Sequence, residues 1–480
     1  MSVQKIVEHQ NTKIVATLGP ASTSPEMLRK LVLTGVDVFR LNFSHGSHEM
    51  HGETIAKILE LKREMKSHVG ILADLQGPKL RVGKMENDGL EIKPGDILTF
   101  VNEKCVGNMD RIYMSYNEFA HDVNVGEKVL IDDGKLVLEV KETNGTDTVR
   151  LEVLFGGILS SNKGVNLPDT KISLPSLTEK DLEDLEYILT QPVNWIALSF
   201  VRKAQDIKEL KKKIKKANHP ARVIAKIEKP EAIAKLKEII KATDAVMVAR
   251  GDLGVEVPME QLPAIQKNII KQCIQKGKPV IVATQMMESM ITNPSPTRAE
   301  ITDVANAVLD GADAVMLSGE TSVGIHPAKV VESMNKIIFQ AEKHYEMSGK
   351  RPKPNKDSDT FYSDTICLSA PKIAEDIGAK GLIGLTVSGY TAFKMSSFRP
   401  NCKIFIFSDR EHMLSTLNLV WGVKCFLYEK FTTTDETIDD LIQLLKEEGE
   451  VHIGDVVVNT GSMPLQKRFR TNMLKITTVE

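Results

Sequence analysis

At 480 residues, 42% hydrophobic and 26% charged, the chain has an ordinary globular composition and a length that suggests roughly three domains. A net charge of −2 gives it no global attraction for nucleic acid or an anionic membrane surface. Five scattered cysteines without CxxC spacing read as reduced thiols of a cytoplasmic protein, neither a disulfide frame nor a zinc site. No run reaches the apolar length of a membrane span, and the start MSVQKIVEHQ lacks a signal core.

In chain order, short apolar β-branched runs alternate with amphipathic segments. They are KIVATLG (13–19), VDVFRLNFS (36–44), VGILADL (69–75), WIALSFV (195–201), RVIAKIE (222–228), AVMVARG (245–251), PVIVATQ (279–285) and AVMLSGE (314–320). Strands apolar on both faces and joined by helical patterns predict a parallel sheet, and eight of them at this spacing predict a (β/α)8 TIM barrel. The period breaks once. Residues 75–171 carry short strand patterns and the hairpin pairs Asp133-Gly134 and Asn144-Gly145, which predict a small all-β domain inserted after the third strand. After the linker MSGKRPKPNKDSD the runs GLIGLTV, CKIFIFS, VKCFLY, GDVVVNT and MLKITTV predict a C-terminal three-layer α/β domain. The expected boundaries are 1–74 with 172–345 for the barrel, 75–171 for the inserted β-barrel lid, and 346–480 for the last domain.

Barrel enzymes gather their chemistry at the C-terminal ends of the strands. Strand residues two apart share a face, so Lys226 and Glu228 point the same way, as do Arg40, Asn42 and Ser44. Asp74 ends the third run, Thr284 lies in the seventh, and the sixth runs into VARGDLGVEVP, which delivers Asp252. Singly, each has a bland explanation in packing or an internal ion pair. Together they bring a lysine, an arginine, metal-competent carboxylates and hydroxyls to one rim, which suits an anionic substrate beside a hard divalent cation. In that reading Gly251 lets the backbone approach a ligand, the amides of Gly251 and Asp252 hold a carboxylate, and Asp252 and Glu228 bind the cation.

At these residues the chain resembles the pyruvate kinase family. RLNFSHGSHEMH, KGVNLP, IAKIEKPEA, MVARGDLGVEVP, VATQMMESM, PSPTRAE and DVANAVLDGADAVMLSGETSVGIHP carry the resemblance, closely over the first 345 residues and more loosely over the last 135. It implies transfer of the phosphoryl group of phosphoenolpyruvate to ADP, giving pyruvate and ATP, with Mg²⁺ or Mn²⁺ on Glu228 and Asp252. It further implies that Lys226 and Arg40 hold the transferring phosphoryl group and that Thr284 lies beside the carbon to be protonated. Asn42, His45, Arg81 and Lys163 would contact the nucleotide, the inserted domain would close as a lid, and the assembly would be a homotetramer. A different barrel enzyme acting on an enolate, or a non-catalytic sugar-phosphate sensor, are the competing classes; intact Lys226, Glu228, Asp252 and Thr284 speak for the kinase.

Two departures from the family pattern carry further expectations. The loop TVSGYTA (386–392) resembles the family's effector loop, but the opposing segment reads GSMPLQKRFRTNMLK. A phosphorylated effector, such as a sugar phosphate, is therefore expected on Ser388, Thr391, Lys467, Arg468 and Arg470. In ADLQGPKLRVG, Lys79 stands where many relatives have a glutamate. The expectation is that its ammonium replaces K⁺, which is then not required, although Asn42, Ser44 and Asp74 resemble a vestigial site for a monovalent cation. His45, His48 and His51 at helical spacing read as a solvated face rather than a metal site, the basic run 208–222 as an exposed amphipathic helix, and Thr297-x-x-Glu300 as a capping box.

Overall fold

The computed structural model describes residues 10–344, 351–430, 433–463 and 469–480. Eight parallel strands close the barrel: β1 (Lys13–Thr17), β2 (Val38–Asn42), β3 (Gly70–Asp74), β4 (Trp195–Leu198), β5 (Arg222–Ile227), β6 (Ala245–Ala249), β7 (Val280–Ala283) and β8 (Ala314–Leu317). Neighbours in sequence are neighbours in space, and β8 pairs with β1. Alternation sorts each strand between two cores. Val15, Val38, Leu72, Trp195, Ile224, Met247, Ile281 and Met316 fill the interior. Their neighbours Ile14, Phe39, Ile71, Ile196, Val223, Val246, Val282 and Val315 pack against the surrounding helices.

The helices carry the capping chemistry their sequences suggest. Ser24 and Ser47 cap Pro25–Thr34 and His48–Met65. Thr297 and Glu300 form the reciprocal box at Arg298–Leu309. The basic run forms Ala204–Lys216, burying Ile207, Leu210 and Ile214 while its lysines face outward. Among the described residues no helix is long and apolar enough to cross a membrane.

The insertion after β3 has its own core, including Leu98, Phe100, Leu138, Val140 and Leu151. Both expected hairpins form: Lys128–Ile131 pairs with Leu136–Thr143 around Asp133-Gly134, and Leu136–Thr143 with Thr148–Phe155 around Asn144-Gly145. Instead of one continuous barrel, the described strands divide into a six-stranded and a two-stranded sheet. Two bulges bend the long hairpin, and the remaining closure runs through isolated bridges at Arg81, Val82 and Met85.

In the C-terminal domain a five-stranded sheet has four parallel strands, Gly381–Leu385, Lys403–Ser408, Val423–Leu427 and Val456–Gly461, and an antiparallel edge strand, Met473–Thr478. Leu382, Ile404 and Ile406 face one helical layer, and Ile383, Phe405 and Phe407 the other. The domain also plugs the N-terminal end of the barrel. Leu419 joins the barrel interior, Trp195 Nε1 donates to Thr416 O at 3.1 Å, and Arg399, buried, pairs with Asp313 at 2.9 Å.

Candidate active site

The register that turns Val38, Leu72 and Ile224 into the barrel turns Arg40, Asp74 and Lys226, two residues further, into its mouth. There the side chains form one charge network. Arg40 Nε donates to Asp74 Oδ2 at 2.7 Å, and its Nη1 to Thr17 Oγ1 at 2.9 Å. Lys226 Nζ lies 2.9 Å from Glu228 Oε1 and 3.4 Å from Asp74 Oδ1, and donates to Ser199 Oγ at 2.7 Å. Ser199 Oγ in turn donates to Leu75 O at 2.7 Å, and Glu228 Oε2 accepts from the Phe200 amide at 2.6 Å.

Burial fixes the charge states. It opposes ionisation of Asp74, but Lys226 and Arg40 outweigh it and hold the carboxyl below the usual range. Burial likewise opposes the Lys226 ammonium, yet Asp74, Glu228 and Asp252 together raise its pKa, so the group is a permanent cation rather than a proton shuttle. The Glu228 carboxyl is pushed up by burial and by Asp252, against the pull of Lys226. Its Oε1 is buried and, apart from facing Lys226, accepts no hydrogen bond among the described residues. A hard divalent cation would relieve the repulsion between Glu228 and Asp252 and use that free lone pair, so these residues fit one. No group of three or more His, Cys, Asp or Glu side chains able to hold a metal occurs among the described residues. Glu228 and Asp252 could supply two ligands of an oxygen site, with water and substrate supplying the others.

The stretch RGDLGVE forms the short helix Arg250–Glu256 directly after β6. Its Gly251 amide donates to Thr284 Oγ1 at 2.7 Å, and that hydroxyl donates to Ala283 O at 2.5 Å. Gly251 and Thr284 are thus joined directly. Thr284, Gln285 and Phe200 all have φ between +52° and +70°, conformations that cost energy outside glycine and mark held strain around the mouth.

The nucleotide candidates lie on two domains, Asn42 and His45 at and just after the end of β2 and Arg81 and Lys163 in the insertion. Asn42 lies opposite Asp74 in the β2–β3 register and accepts from the Ser44 amide at 3.2 Å. Burial, then the charges of Arg81, Lys79 and Arg40, lower the pKa of His45. Arg81 itself donates to Asn162 O, and Lys163 pairs with Asp132 at 2.8 Å within the inserted domain. His48 stacks on Tyr187 and bonds Asp184, while His51 stacks on Phe43 with its Nε2 2.9 Å from His45 O; both are half-buried packing residues rather than the solvated face expected. Sequence reasoning missed Ser199 and Phe200; their signal was the polar residue at the end of the fourth run.

In the C-terminal domain a cleft of about 360 Å³ opens at the strand ends, lined among others by Thr386, Ser388, Thr391 and Arg470. Thr391 is buried, with its hydroxyl against that of Thr471 at 2.8 Å, so it helps shape the cleft rather than standing free in it. Lys467 and Arg468 lie outside the described residues.

A closed barrel with an ammonium, a guanidinium and two cation-competent carboxylates at its mouth, under an inserted β domain, defines a barrel transferase for anionic substrates. Family comparison makes this specific. Residues 9–331 match the model of the pyruvate kinase barrel domain and residues 364–477 that of the pyruvate kinase alpha/beta domain. Pyruvate kinases of Geobacillus stearothermophilus and Clostridium perfringens are 42% and 41% identical, each over 97% of this chain and over 80% and 99% of their own lengths. A crystal structure of a pyruvate kinase from Cryptosporidium parvum superposes with a TM-score of 0.91 at 35% identity, covering 98% of this chain and 96% of that one. The chain belongs to the pyruvate kinase family and is a phosphotransferase.

Proposed function

We propose that the protein transfers the phosphoryl group of phosphoenolpyruvate to ADP, with Lys226 as the fixed charge beside the phosphoryl in flight. The observation that carries this is the place of the Lys226 ammonium at the mouth, 2.9 Å from Glu228 Oε1, 3.4 Å from Asp74 Oδ1 and donating to Ser199 Oγ at 2.7 Å. Arg40, locked on Asp74 and Thr17, presents its remaining donor atoms to the phosphate. Glu228 and Asp252 would hold Mg²⁺ or Mn²⁺, which would supply charge neutralisation to the anionic substrate. The substrate carboxylate binds at Gly251 and Asp252, taking over the Gly251 amide from Thr284. The Thr284 hydroxyl released in this way lies beside the carbon that becomes the methyl group of pyruvate. ADP lies in the cleft along Asn42, His45, Arg81 and Lys163, and the inserted domain excludes water when it closes. Phosphorus NMR of phosphoenolpyruvate, ADP and Mg²⁺ with the protein tests the reading; an unchanged phosphoenolpyruvate signal sinks it.

Three finer readings go with this. K⁺ is not required: Lys79 makes no ion pair among the described residues, lines the cleft together with Asp252, and adds its charge to the surroundings of His45. It acts from the lid side, since Asp74 is already occupied by Arg40 and Lys226. An anionic, phosphorylated effector binds the C-terminal cleft at Ser388 and Arg470; titrating sugar phosphates at low phosphoenolpyruvate tests it, and no response to any of them refutes it. The family resemblance supports a homotetramer, for which sedimentation is the test.

A further inference from the structure

The insertion touches the barrel rim through a polar contact to which the proposed reaction gives no role. The short strand Val165–Asn166 brings Asn166 to the rim, where its Nδ2 donates to Glu256 Oε1 at 2.8 Å. The same oxygen accepts from Lys229 Nζ at 2.7 Å. Glu256 and Lys229 are each 5% exposed, so water scarcely competes for them. Glu256 closes the helix that carries Gly251 and Asp252, and Lys229 directly follows Glu228. The three residues therefore tie the inserted domain to both loops that bear a cation-competent carboxylate. A second contact falls on the same helix: the tip of the Asp133-Gly134 hairpin lies against Val255, with the Cβ position of Gly134 3.7 Å from Val255 Cγ1.

Stability alone is a poor account of this arrangement. A buried ion pair seldom outperforms apolar packing, and here Glu256 Oε2 is buried with no hydrogen-bond partner among the described residues. The cluster is satisfied only in part, and most fully when Asn166 is docked. We propose that Asn166, Glu256 and Lys229 form a latch that holds the lid shut and thereby positions Glu228 and Asp252, with Asn166 as the positioning residue that arrives and leaves with the lid. Opening removes one of the two donors to Glu256 Oε1 and frees the helix Arg250–Glu256 to shift relative to Glu228. The latch builds on the proposed reading of those two carboxylates as cation ligands.

The test is hydrogen–deuterium exchange on the full-length protein without substrate, joined to steady-state kinetics and to Mn²⁺ binding read by electron paramagnetic resonance. Asn166→Ala removes the donor, and Asn166→Asp puts a carboxylate against Glu256 in the same shape. Expected are faster exchange in residues 163–167 and 250–256 of Asn166→Ala, with an unchanged thermal midpoint. The value of kcat should fall by on the order of tenfold, the size of one lost hydrogen bond to a charged group. Asn166→Asp should be worse than Asn166→Ala, because like charges face each other, whereas a packing role would make it milder. Unchanged exchange in both segments overturns the latch. Faster exchange with unaltered kcat overturns its positioning role. Wild-type protein that binds no Mn²⁺ overturns the cation reading instead, and the exchange rates then decide the lid contact by themselves.

Discussion

Ser199→Ala removes an uncharged partner of Lys226 while leaving its two ion pairs in place. In the wild type the hydroxyl accepts from Lys226 Nζ at 2.7 Å and donates to Leu75 O at 2.7 Å, so it fixes both the direction of the ammonium and its distance from the β3 end. A hydrogen bond to a charged group contributes about 1.5–3 kcal/mol, and about 1.4 kcal/mol corresponds to tenfold in rate. Because Asp74 and Glu228 still hold the ammonium electrostatically, the lower end applies. The expected outcome is a drop in kcat of about tenfold with the KM for phosphoenolpyruvate changed less than about threefold. The assay is ATP formation coupled to a reporter enzyme at saturating Mg²⁺ and ADP. Wild-type kcat in Ser199→Ala, at an unchanged melting temperature, would refute the reasoning that Ser199 aims Lys226.

Three other outcomes follow from the same structure. Lys79→Glu should lower activity in tetramethylammonium buffer and make it recover on adding K⁺; strong K⁺ stimulation of the wild type would contradict the tethered-cation reading. Burial and then the Lys62 charge lower the pKa of His68 to about 4, so below pH 6.5 the unfolded state takes up the proton first. The stability contribution is therefore full above pH 6.5 and is lost as the pH falls towards 4, by at most about 3 kcal/mol; urea titrations of His68→Gln should show a flatter slope in that window. Arg399→Ala leaves Asp313 without its buried partner and should cost about 3–5 kcal/mol in urea melts, with the contact between barrel and C-terminal domain loosening first.

Much of this was legible in the sequence because alternation is a local signal. The eight apolar runs became the eight barrel strands, trimmed at their ends by at most three residues, and Asp133-Gly134 and Asn144-Gly145 turned where such pairs turn. Period two also placed Arg40 and Lys226 correctly at the mouth, since the side of a strand is fixed once one interior residue is known. Partnerships were not legible. Asp74 serves Arg40 and Lys226 together, which depends on the barrel's closure rather than on any spacing. Lys229 and Glu256 are 27 positions apart on different loops and meet only because β5 and β6 lie side by side. The bond between the hydroxyls of Thr391 and Thr471, 80 positions apart, likewise comes from the packing of helix Tyr390–Ser397.

Everything proposed for the barrel mouth turns on whether the Lys226 charge acts on the phosphoryl group in transfer. The most direct measurement is the pair kcat and phosphoenolpyruvate affinity for Lys226→Met, the latter read by fluorescence titration in the presence of Mg²⁺. Expected is a kcat reduced by several orders of magnitude, with affinity changed by less than about tenfold, because the charge is used in the transition state. Retained turnover, or an affinity loss as large as the loss of kcat, would contradict that role.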